Sequence, residues 1–305
     1  MNNLSKYYDY IEPLCLDLAD QVLRWADKNG APASEARYLL QTASRLKHSS
    51  ISIPSQQKPL LALEDIEPVI TYLGIIEKHL LHFLNGEMTG NTIIRLGGKD
   101  LWLRYNDKNA IKVIYAEDVA RTVSALASHK RILELGGGVG ATTRRLAPAL
   151  NESTSLLFTD IKPYFLHAIK ERLPELRLQT MILDINRPPE NIGKFDMVYA
   201  TNALHVAYDI PQTLKWIYDR LLPGGVLVLG EGSPYSRDDP WPLDMLFAFF
   251  PGWWDVPLSK SRPYPGFLTP EQWITMMSQS GFDTLDLHML ADQRRLFGGT
   301  YTARK

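Results

Sequence analysis

From Lys130 onward, short apolar stretches alternate with helical ones, and this order limits the folds open to the chain. The predicted strands read RILEL, SLLFTD, LQTMILD, FDMVYAT and GVLVLGE, and the predicted helices between them read ATTRRLAPAL, YFLHAIKERL and IPQTLKWIYDRLL. Strands that alternate with helices indicate a parallel sheet joined by right-handed crossovers. The tail adds a helix and two further strands, which we expect to pair antiparallel. The predicted fold class is therefore α/β, a doubly wound, Rossmann-like sheet of seven strands with the last one antiparallel.

The residues before this sheet have a different pattern. Stretches such as YIEPLCLDLADQVLRWA and LEDIEPVITYLGIIEKHLLHFL repeat apolar residues at helical spacing, so residues 1–125 are predicted to form a mainly helical N-terminal lid subdomain. Within it, TIIRLGGKDLWLRY predicts a hairpin, because GGKD is a turn signal and LWLRY alternates. Residues 126–305 form the second domain. An insertion rich in aromatic residues and proline, residues 230–268, interrupts it and is long enough to be a lid or a binding loop.

Composition narrows the classes of partner. The 305 residues include 33 basic and 34 acidic side chains, so the net charge of -1 gives no reason to expect nucleic acid or an anionic membrane as a partner. Cys15 is the single cysteine, which excludes an intrachain disulfide, and the histidines lack metal-ligand spacing, so we expect no metal site. The N-terminus is not a secretory signal, and no apolar run approaches the ~20 residues that span a bilayer. We therefore expect a cytoplasmic protein.

The glycine-rich stretch RILELGGGVGATT points to a nucleotide ligand. A strand that runs into a glycine-rich turn and a helix lets the backbone approach a ligand at the edge of an open α/β sheet. Gly136, Gly138 and Ala141 fit G-x-G-x-x-A, the dinucleotide pattern, and Asp160 follows Gly136 by 24 residues, where a carboxylate can bind ribose hydroxyls. A nicotinamide-dependent oxidoreductase thus stays open as a minor alternative, although no Tyr-x-x-x-Lys pair follows the fourth strand.

Three features favour S-adenosylmethionine as the cofactor. Glu134 extends the glycine pattern to E-x-G-x-G-x-G, and a carboxylate suits the cationic amino-acid end of this cofactor better than a pyrophosphate. Asp184, at the end of the third predicted strand, can meet the adenine amino group. The fourth strand ends in YATNALH, whose polar residues leave the carboxyl edge of the sheet, where ligands bind.

The stretch 131–304 resembles class I S-adenosylmethionine-dependent methyltransferases. More narrowly, six blocks resemble, in order, the methyltransferase domains of polyketide synthases: RILELGGGVGATT, FTDI, FDMVYATNALHVAYDIPQTL, LLPGGVLVLGE, FPGWWD and FLTPEQW…SGF. The N-terminal third is similar to the helical lid of those domains only weakly. The 305 residues hold no carrier or ketosynthase domain, so we expect either a free-standing enzyme or an excised piece.

The resemblance implies a set of site residues. The glycine loop would hold the methionine part of the cofactor, Asp160 the ribose and Asp184 the adenine, so the cofactor-binding set is Glu134, Gly136, Gly137, Gly138, Asp160, Ile161, Asp184, Ile185 and Thr201. In the carbon-methylating branch a His–Glu pair acts as the base, and His205 and Glu231 fall at those places. Asn202 can polarise the acceptor's carbonyl. Structural roles stay open, since His205 can be a buried core histidine, Glu231 a cap, and Asp184 part of a turn.

The predicted function is methylation of the α-carbon of a β-ketoacyl thioester in polyketide biosynthesis. Histidine suits this role because its unperturbed pKa of ~6.5 lies near neutral pH. O-methylation of a polyketide hydroxyl is the alternative, and it gains weight if the enzyme is free-standing. The expected substrate is a small-molecule or carrier-bound acyl group, with an acyl carrier protein as a candidate partner. A non-catalytic module that binds through the aromatic insertion is a third possibility, and its stretch FAFFPGWWD is either core or the wall of an acyl tunnel.

Overall fold

A computed structural model describes residues 2–48, 63–126, 130–176, 178–234, 241–260, 262–291 and 296–305. The helices are α1 (Asn2–Asn29), α2 (Arg37–Lys47), α3 (Leu63–Leu84), α4 (Gly90–Arg95), α5 (Gly98–Lys108), α6 (Ala110–Leu126), α7 (Ala141–Leu146), α8 (Pro163–Arg172), α9 (Ile210–Arg220), α10 (Asp244–Phe247), α11 (Pro251–Trp254) and α12 (Pro270–Gln279). The strands are β1 (Arg131–Leu135), β2 (Ser155–Asp160), β3 (Gln179–Ile182), β4 (Phe195–Thr201), β5 (Leu221–Glu231), β6 (Asp283–Ala291) and β7 (Leu296–Arg304).

The seven strands form one sheet in the order β3-β2-β1-β4-β5-β7-β6. Strands β1 to β5 pair in parallel, and β7 pairs antiparallel with both β5 and β6. The predicted fold class, with its seven strands and antiparallel last strand, is thereby confirmed. The strand order reverses between β1 and β4, and ligands of open α/β sheets bind outside the carboxyl ends of the strands at such a reversal.

Helices cover both faces of this sheet because successive side chains of each strand point to opposite sides. In β1, Ile132 belongs to a buried cluster with Val119 and Val123 of α6. Its neighbours Leu133 and Leu135 belong to another cluster, with residues of α9 and α12. Each face of β1 therefore carries buried apolar residues, as expected for a parallel strand covered on both sides.

The helices before the sheet build a separate apolar cluster, which also takes in the aromatic insertion. Phe249 and Trp253 are buried there, and the Phe249 ring lies 4.6 Å from that of Phe83 on α3. This burial supports the core interpretation of FAFFPGWWD. In the described ranges, no helix is both long enough and apolar enough to cross a membrane.

The hairpin predicted for TIIRLGGKDLWLRY is wrong, because this stretch forms α4 and α5. The Thr89 hydroxyl caps α4 by accepting a hydrogen bond from the Thr92 backbone N–H. Gly98, at a φ of 72°, separates the two helices in a conformation that glycine adopts easily. Leu101 and Tyr105 are buried four residues apart, which is helical spacing. The alternation of apolar and other residues in LWLRY suggests a strand, whereas its buried residues follow the longer repeat of a helix.

Candidate active site

The glycine loop after β1 is closely packed by its neighbours. A Cβ atom on Gly136, whose φ is 63°, would lie 2.7 Å from the Ala203 Cβ, and one on Gly137 would lie 2.2 Å from the Phe158 ring. The Gly137 N–H donates to the Thr159 carbonyl over 2.9 Å, which fixes the loop to β2. Side chains are thus excluded where the loop passes between β1 and α7, and its backbone stays open to a ligand.

Asp160 ends β2 beside this loop. One carboxylate oxygen accepts the Gly138 N–H over 2.9 Å, and the other accepts the Lys162 N–H over 2.8 Å. Burial raises the pKa of Asp160, and these two backbone hydrogen bonds oppose that rise. Each oxygen keeps a lone pair, because a carboxylate oxygen can accept more than one hydrogen bond. The side chain is therefore oriented by the backbone while it retains capacity for two hydroxyl groups.

Glu134 is a buried carboxyl group in the penultimate position of β1. It accepts a hydrogen bond from the Thr143 hydroxyl of α7, and the Tyr199 hydroxyl lies 3.5 Å from the same Thr143 oxygen. Burial raises the pKa of Glu134 to about 7, and the bond from Thr143 opposes this rise. A positive ligand group beside Glu134 would favour its ionised form.

A cleft with a cavity volume of about 160 Å³ opens above the loop. Its sheet side is formed by predicted residues together with their neighbours: Glu134, Gly136, Gly137, Gly138, Val139, Ala141, Thr142, Thr201 and Asn202. The helices before the sheet contribute Trp102, Asn106, Lys112 and Ala116, and α8 contributes Phe165. The N-terminal helices and the sheet domain thus share one cleft.

Sequence reasoning missed the helical side of the cleft. Trp102 and Asn106 lie four residues apart on α5, and Lys112 and Ala116 lie four apart on α6, so each pair shares one face of its helix. The four-residue spacing is the one feature of the sequence that could indicate these cleft residues. Buried core residues of a helix have the same spacing, so it does not distinguish the two. Two ion pairs, Arg144 to Asp107 and a longer Arg145 to Glu117 pair at 3.6 Å, join α7 to these helices.

His205 and Glu231 meet as the sequence predicted. His205 Nδ1 lies 2.6 Å from Glu231 Oε2, and both side chains are buried. Glu231 Oε1 accepts three backbone N–H groups, from Ala203 at 3.1 Å, Leu204 at 2.8 Å and His205 at 3.3 Å. One carboxylate thus holds both the turn that carries the histidine and the imidazole ring itself. Within the described part of the chain, no hydrogen-bond partner contacts His205 Nε2.

Aromatic residues and a buried arginine surround the imidazole. The ring centroids of Trp253 and Phe267 lie 5.1 and 5.2 Å from that of His205. Arg262 donates to the His205 carbonyl over 2.8 Å and to the Ala207 carbonyl over 3.0 Å, so the insertion holds the histidine's backbone as well. These contacts restrict the orientation of the ring and exclude water from one side of it.

The remaining predicted residues lie around the same edge of the sheet. Asn202 has a φ of 49°, and its side-chain oxygen accepts the Gly232 N–H over 3.3 Å. The Thr201 hydroxyl accepts from Thr142 over 2.9 Å. Ile161 is about half exposed beside Asp160, whereas Ile185 packs against the core. Asp184 lies beyond the end of β3 and accepts the Asn186 N–H over 2.9 Å, as a turn residue does.

His205, Glu231, Asp160, Ile161, Asp184 and Ile185 do not line the cleft itself. His205 follows β4 and Glu231 ends β5, so both lie at the carboxyl edge of the sheet near Thr201 and Asn202, which do line the cleft. The roles predicted for these residues stay predictions. Among the residues that the structure covers, no cluster of three or more His, Cys, Asp or Glu side chains could hold a metal ion.

The cleft fits the cofactor that the sequence predicts. Its bare glycine backbone leaves room for a ligand, and Glu134 can face an ammonium group. Asp160 at the loop's edge can accept hydroxyl groups of a ribose. Residues 133–227 match the family model described as a methyltransferase domain. A nicotinamide-dependent oxidoreductase is therefore not supported.

Relatives in sequence are large fungal synthases. The lovastatin diketide synthase mokB of Monascus pilosus is 30% identical over 280 residues, which cover 87% of this chain and 10% of that protein. The compactin diketide synthase mlcB of Penicillium citrinum is 34% identical over 198 residues, which cover 59% of this chain and 7% of that protein. The chain thus spans about a tenth of the length of these relatives or less.

Solved structures share the whole fold. The CurJ carbon methyltransferase superimposes with a TM-score of 0.76 at 22% identity, over 98% of this chain and 91% of that chain. The trans-methyltransferase CalH in complex with SAH gives 0.73 at 20% identity, over 99% and 91%. The methyltransferase fold, the matching family model and the cofactor cleft together identify the chain as a class I S-adenosylmethionine-dependent methyltransferase, similar to methyltransferase domains of polyketide synthases.

Proposed function

We propose that this methyltransferase acts on the α-carbon of a β-ketoacyl thioester, with His205 as the base and Glu231 behind it. The observation that carries the proposal is the buried pair with 2.6 Å between His205 Nδ1 and Glu231 Oε2. A histidine held in this way by a carboxylate presents its second nitrogen, Nε2, to an acceptor. The similarity to carbon methyltransferases in fold is consistent with this reaction.

The acceptor needs such a base because the atom that attacks the methyl group carries a proton. The α-carbon between a ketone and a thioester is mostly protonated at neutral pH, and so is a hydroxyl group. When His205 Nε2 takes that proton, the imidazole becomes a cation, and Glu231 stabilises it at Nδ1. Glu231 also fixes the neutral tautomer with the proton on Nδ1, which leaves the Nε2 lone pair free. General-base catalysis of this kind contributes about 10²–10⁴-fold to the rate.

The bound cofactor supplies an electrophilic methyl group on a positively charged sulfur. The residues that would hold it are Glu134 and the glycine loop at its methionine end, Asp160 at the ribose, and Asp184 with its neighbours at the adenine. Positioning accounts for much of the acceleration, because a methyl transfer requires the two reacting atoms to be aligned. Asn202 lines the cleft and its side-chain oxygen accepts the Gly232 N–H, and we propose that its amide N–H groups orient the acceptor's carbonyl oxygen.

The acceptor is proposed to arrive as an acyl thioester, either as a small molecule or on an acyl carrier protein. Two observations support this class. The relatives in sequence are polyketide synthases. Phe267, which is half-buried, lies against the imidazole and gives this place an apolar surface, which suits an acyl chain better than a charged substrate.

The test is to supply methyl-labelled S-adenosylmethionine with two synthetic thioesters, one β-keto and one β-hydroxy, and to locate the label by mass spectrometry. We expect the label on the α-carbon of the β-keto thioester. A methyl group on the β-oxygen would replace the proposal by O-methylation. Binding of the cofactor without transfer to either compound would remove thioesters as acceptors.

The role of His205 is tested in the same assay. His205→Ala should lower turnover about 10²–10⁴-fold, because a general base is lost, while calorimetry shows unchanged affinity for S-adenosylhomocysteine. His167→Ala, which removes an exposed histidine on α8, is the matched control and should have wild-type turnover. A His205→Ala protein that also loses the cofactor would show that His205 is structural.

A further inference from the structure

Lys112 is a cation inside the cofactor cleft. It lies on α6, and of the described residues that line the cleft it is the single lysine or arginine. Nowhere in the described ranges does a hydrogen bond or ion pair engage its ammonium group. Its one ring contact is distant, since Nζ lies 6.0 Å from the centroid of Phe247. A cation so placed needs an anionic partner, because a desolvated charge is costly when it is unpaired.

The carboxylates around the cleft already have other donors. Glu134 accepts from Thr143, and Asp160 accepts two backbone N–H groups. Glu231, the charge that acts most clearly on Lys112, is held by His205 and by three backbone N–H groups. Burial lowers the pKa of Lys112 to about 8, and Glu231 opposes this shift. The protein therefore leaves this ammonium group without a dedicated counterion.

The amino-acid end of the cofactor carries two opposite charges, an α-ammonium and an α-carboxylate. The cleft also presents two opposite charges, Glu134 on the sheet side and Lys112 on the helical side. We infer that Lys112 binds the α-carboxylate of the cofactor, across the cleft from Glu134. The inference rests on the identity of the cofactor and is independent of which atom of the acceptor is methylated.

An acceptor's oxygen is the competing ligand for Lys112, and the lining of the cleft disfavours it. Lys112 shares the cleft with Glu134 and the glycine loop, whereas His205, the proposed base, does not line it. Because Lys112 lies on α6, the N-terminal helices would bind the cofactor directly. The glycine loop contains no cation that could take this role.

The test compares two ligands that differ by one carboxylate, S-adenosylhomocysteine and its decarboxylated analogue, by calorimetry and without any acceptor. The wild-type protein should prefer S-adenosylhomocysteine. Lys112→Met should lower the affinity for S-adenosylhomocysteine about 10- to 100-fold, the usual range for a hydrogen bond to a charged group. The affinity for the decarboxylated analogue should stay nearly unchanged. Lys112→Arg should recover part of the preference, and Lys108→Met, on the exposed end of α5, should behave like the wild type.

Three results would overturn the inference. The first is a wild-type protein that binds both ligands equally, a measurement that needs no variant. The second is an unchanged preference in Lys112→Met. The third is an equal loss of both ligands in a Lys112→Met protein whose thermal unfolding matches the wild type, since that would assign Lys112 a purely structural role. Because no acceptor is present, failure here is separate from failure of the carbon-methylation proposal.

Discussion

The two sides of the cofactor cleft are built in different ways. On the sheet side, the backbone itself forms the surface, and Gly136 and Gly137 are required because a Cβ atom would collide with Ala203 or Phe158. On the helical side, Trp102 and Lys112 reach the cleft through side chains. A backbone-built surface leaves a local pattern in the sequence. A side-chain-built surface depends on how distant helices pack, and it leaves only a four-residue spacing that buried core residues share.

The strongest test of the sheet side is Asp160→Ala. The change removes the carboxylate that we expect to bind the ribose, and it frees the Gly138 and Lys162 N–H groups. We expect affinity for S-adenosylhomocysteine to fall about 100-fold, as for the loss of two hydrogen bonds to a charged group. Calorimetry measures the change, and Asp184→Ala provides the comparison at the adenine end. Unchanged affinity in Asp160→Ala would remove this residue from the site.

A second test adds a methyl group to the loop. Gly137→Ala places a Cβ atom against the buried Phe158 ring, and overpacking of this kind lowers the free energy of unfolding by about 1–3 kcal/mol. Gly74→Ala is the matched control on α3, where a Cβ atom meets nothing within 4 Å. It should stabilise the protein by roughly 0.5–1 kcal/mol, since alanine favours helix over glycine. Denaturant unfolding compares the two, and equal effects would show that the loop tolerates a side chain.

Two buried carboxyl groups sharpen the comparison, because burial raises the pKa of both Glu134 and Asp244 to about 7. Glu134 faces the cleft, whereas Asp244 of α10 is enclosed by the helical cluster. A raised pKa means that the neutral form of Asp244 is favoured in the folded state. Its contribution to stability is therefore full below the unfolded-state pKa of about 3.9 and is lost as the pH rises through about 7.

Asp244→Asn should remove this dependence. We expect the variant to gain about 2–3 kcal/mol of stability relative to the wild type between pH 5 and pH 8, because it has no charge to bury. Urea unfolding at the two pH values measures the difference, and Asp65→Asn serves as a control at a half-buried carboxyl on α3. If the difference in free energy of unfolding between the wild type and the variant is the same at pH 5 and at pH 8, Asp244 is ionised at both pH values.

The mildest test concerns the helical side. Trp102→Ala should lower the affinity for S-adenosylhomocysteine about 3- to 10-fold. The effect is small because the ring forms part of the cleft wall and makes no charged contact with the ligand. Trp25→Ala is its control, since Trp25 is also half-buried against the helical cluster and does not line the cleft. If both variants bind the ligand as the wild type does, the Trp102 ring contributes nothing to cofactor affinity.

The sequence predicted the parts of the molecule that follow from local rules. The alternation of strand and helix predicted the sheet and its last antiparallel strand, and the glycine loop with Glu134 predicted the sheet side of the cleft. The resemblance to the carbon-methylating family implied the pairing of His205 with Glu231, and parallel strands that end at one edge make it possible. The sequence did not predict α5, because apolar and polar residues alternate there as in a strand. In the structure, the buried residues Leu101 and Tyr105 follow helical spacing instead. The helical wall depends on tertiary packing, which a short pattern does not specify.

The shared cleft has a consequence for how such a unit can be exchanged between larger proteins. The domain boundary predicted near residue 125 falls between the helical region and the sheet, yet a cut there would divide the lining of the cleft, with Lys112 and Ala116 on one side and Glu134 on the other. Asp107 and Arg144 form an ion pair across the same boundary. A recombination point there would join a glycine loop to helices that never packed against it. The transferable module is therefore the helical region together with the sheet, and chimeras should be cut before α1 rather than before β1.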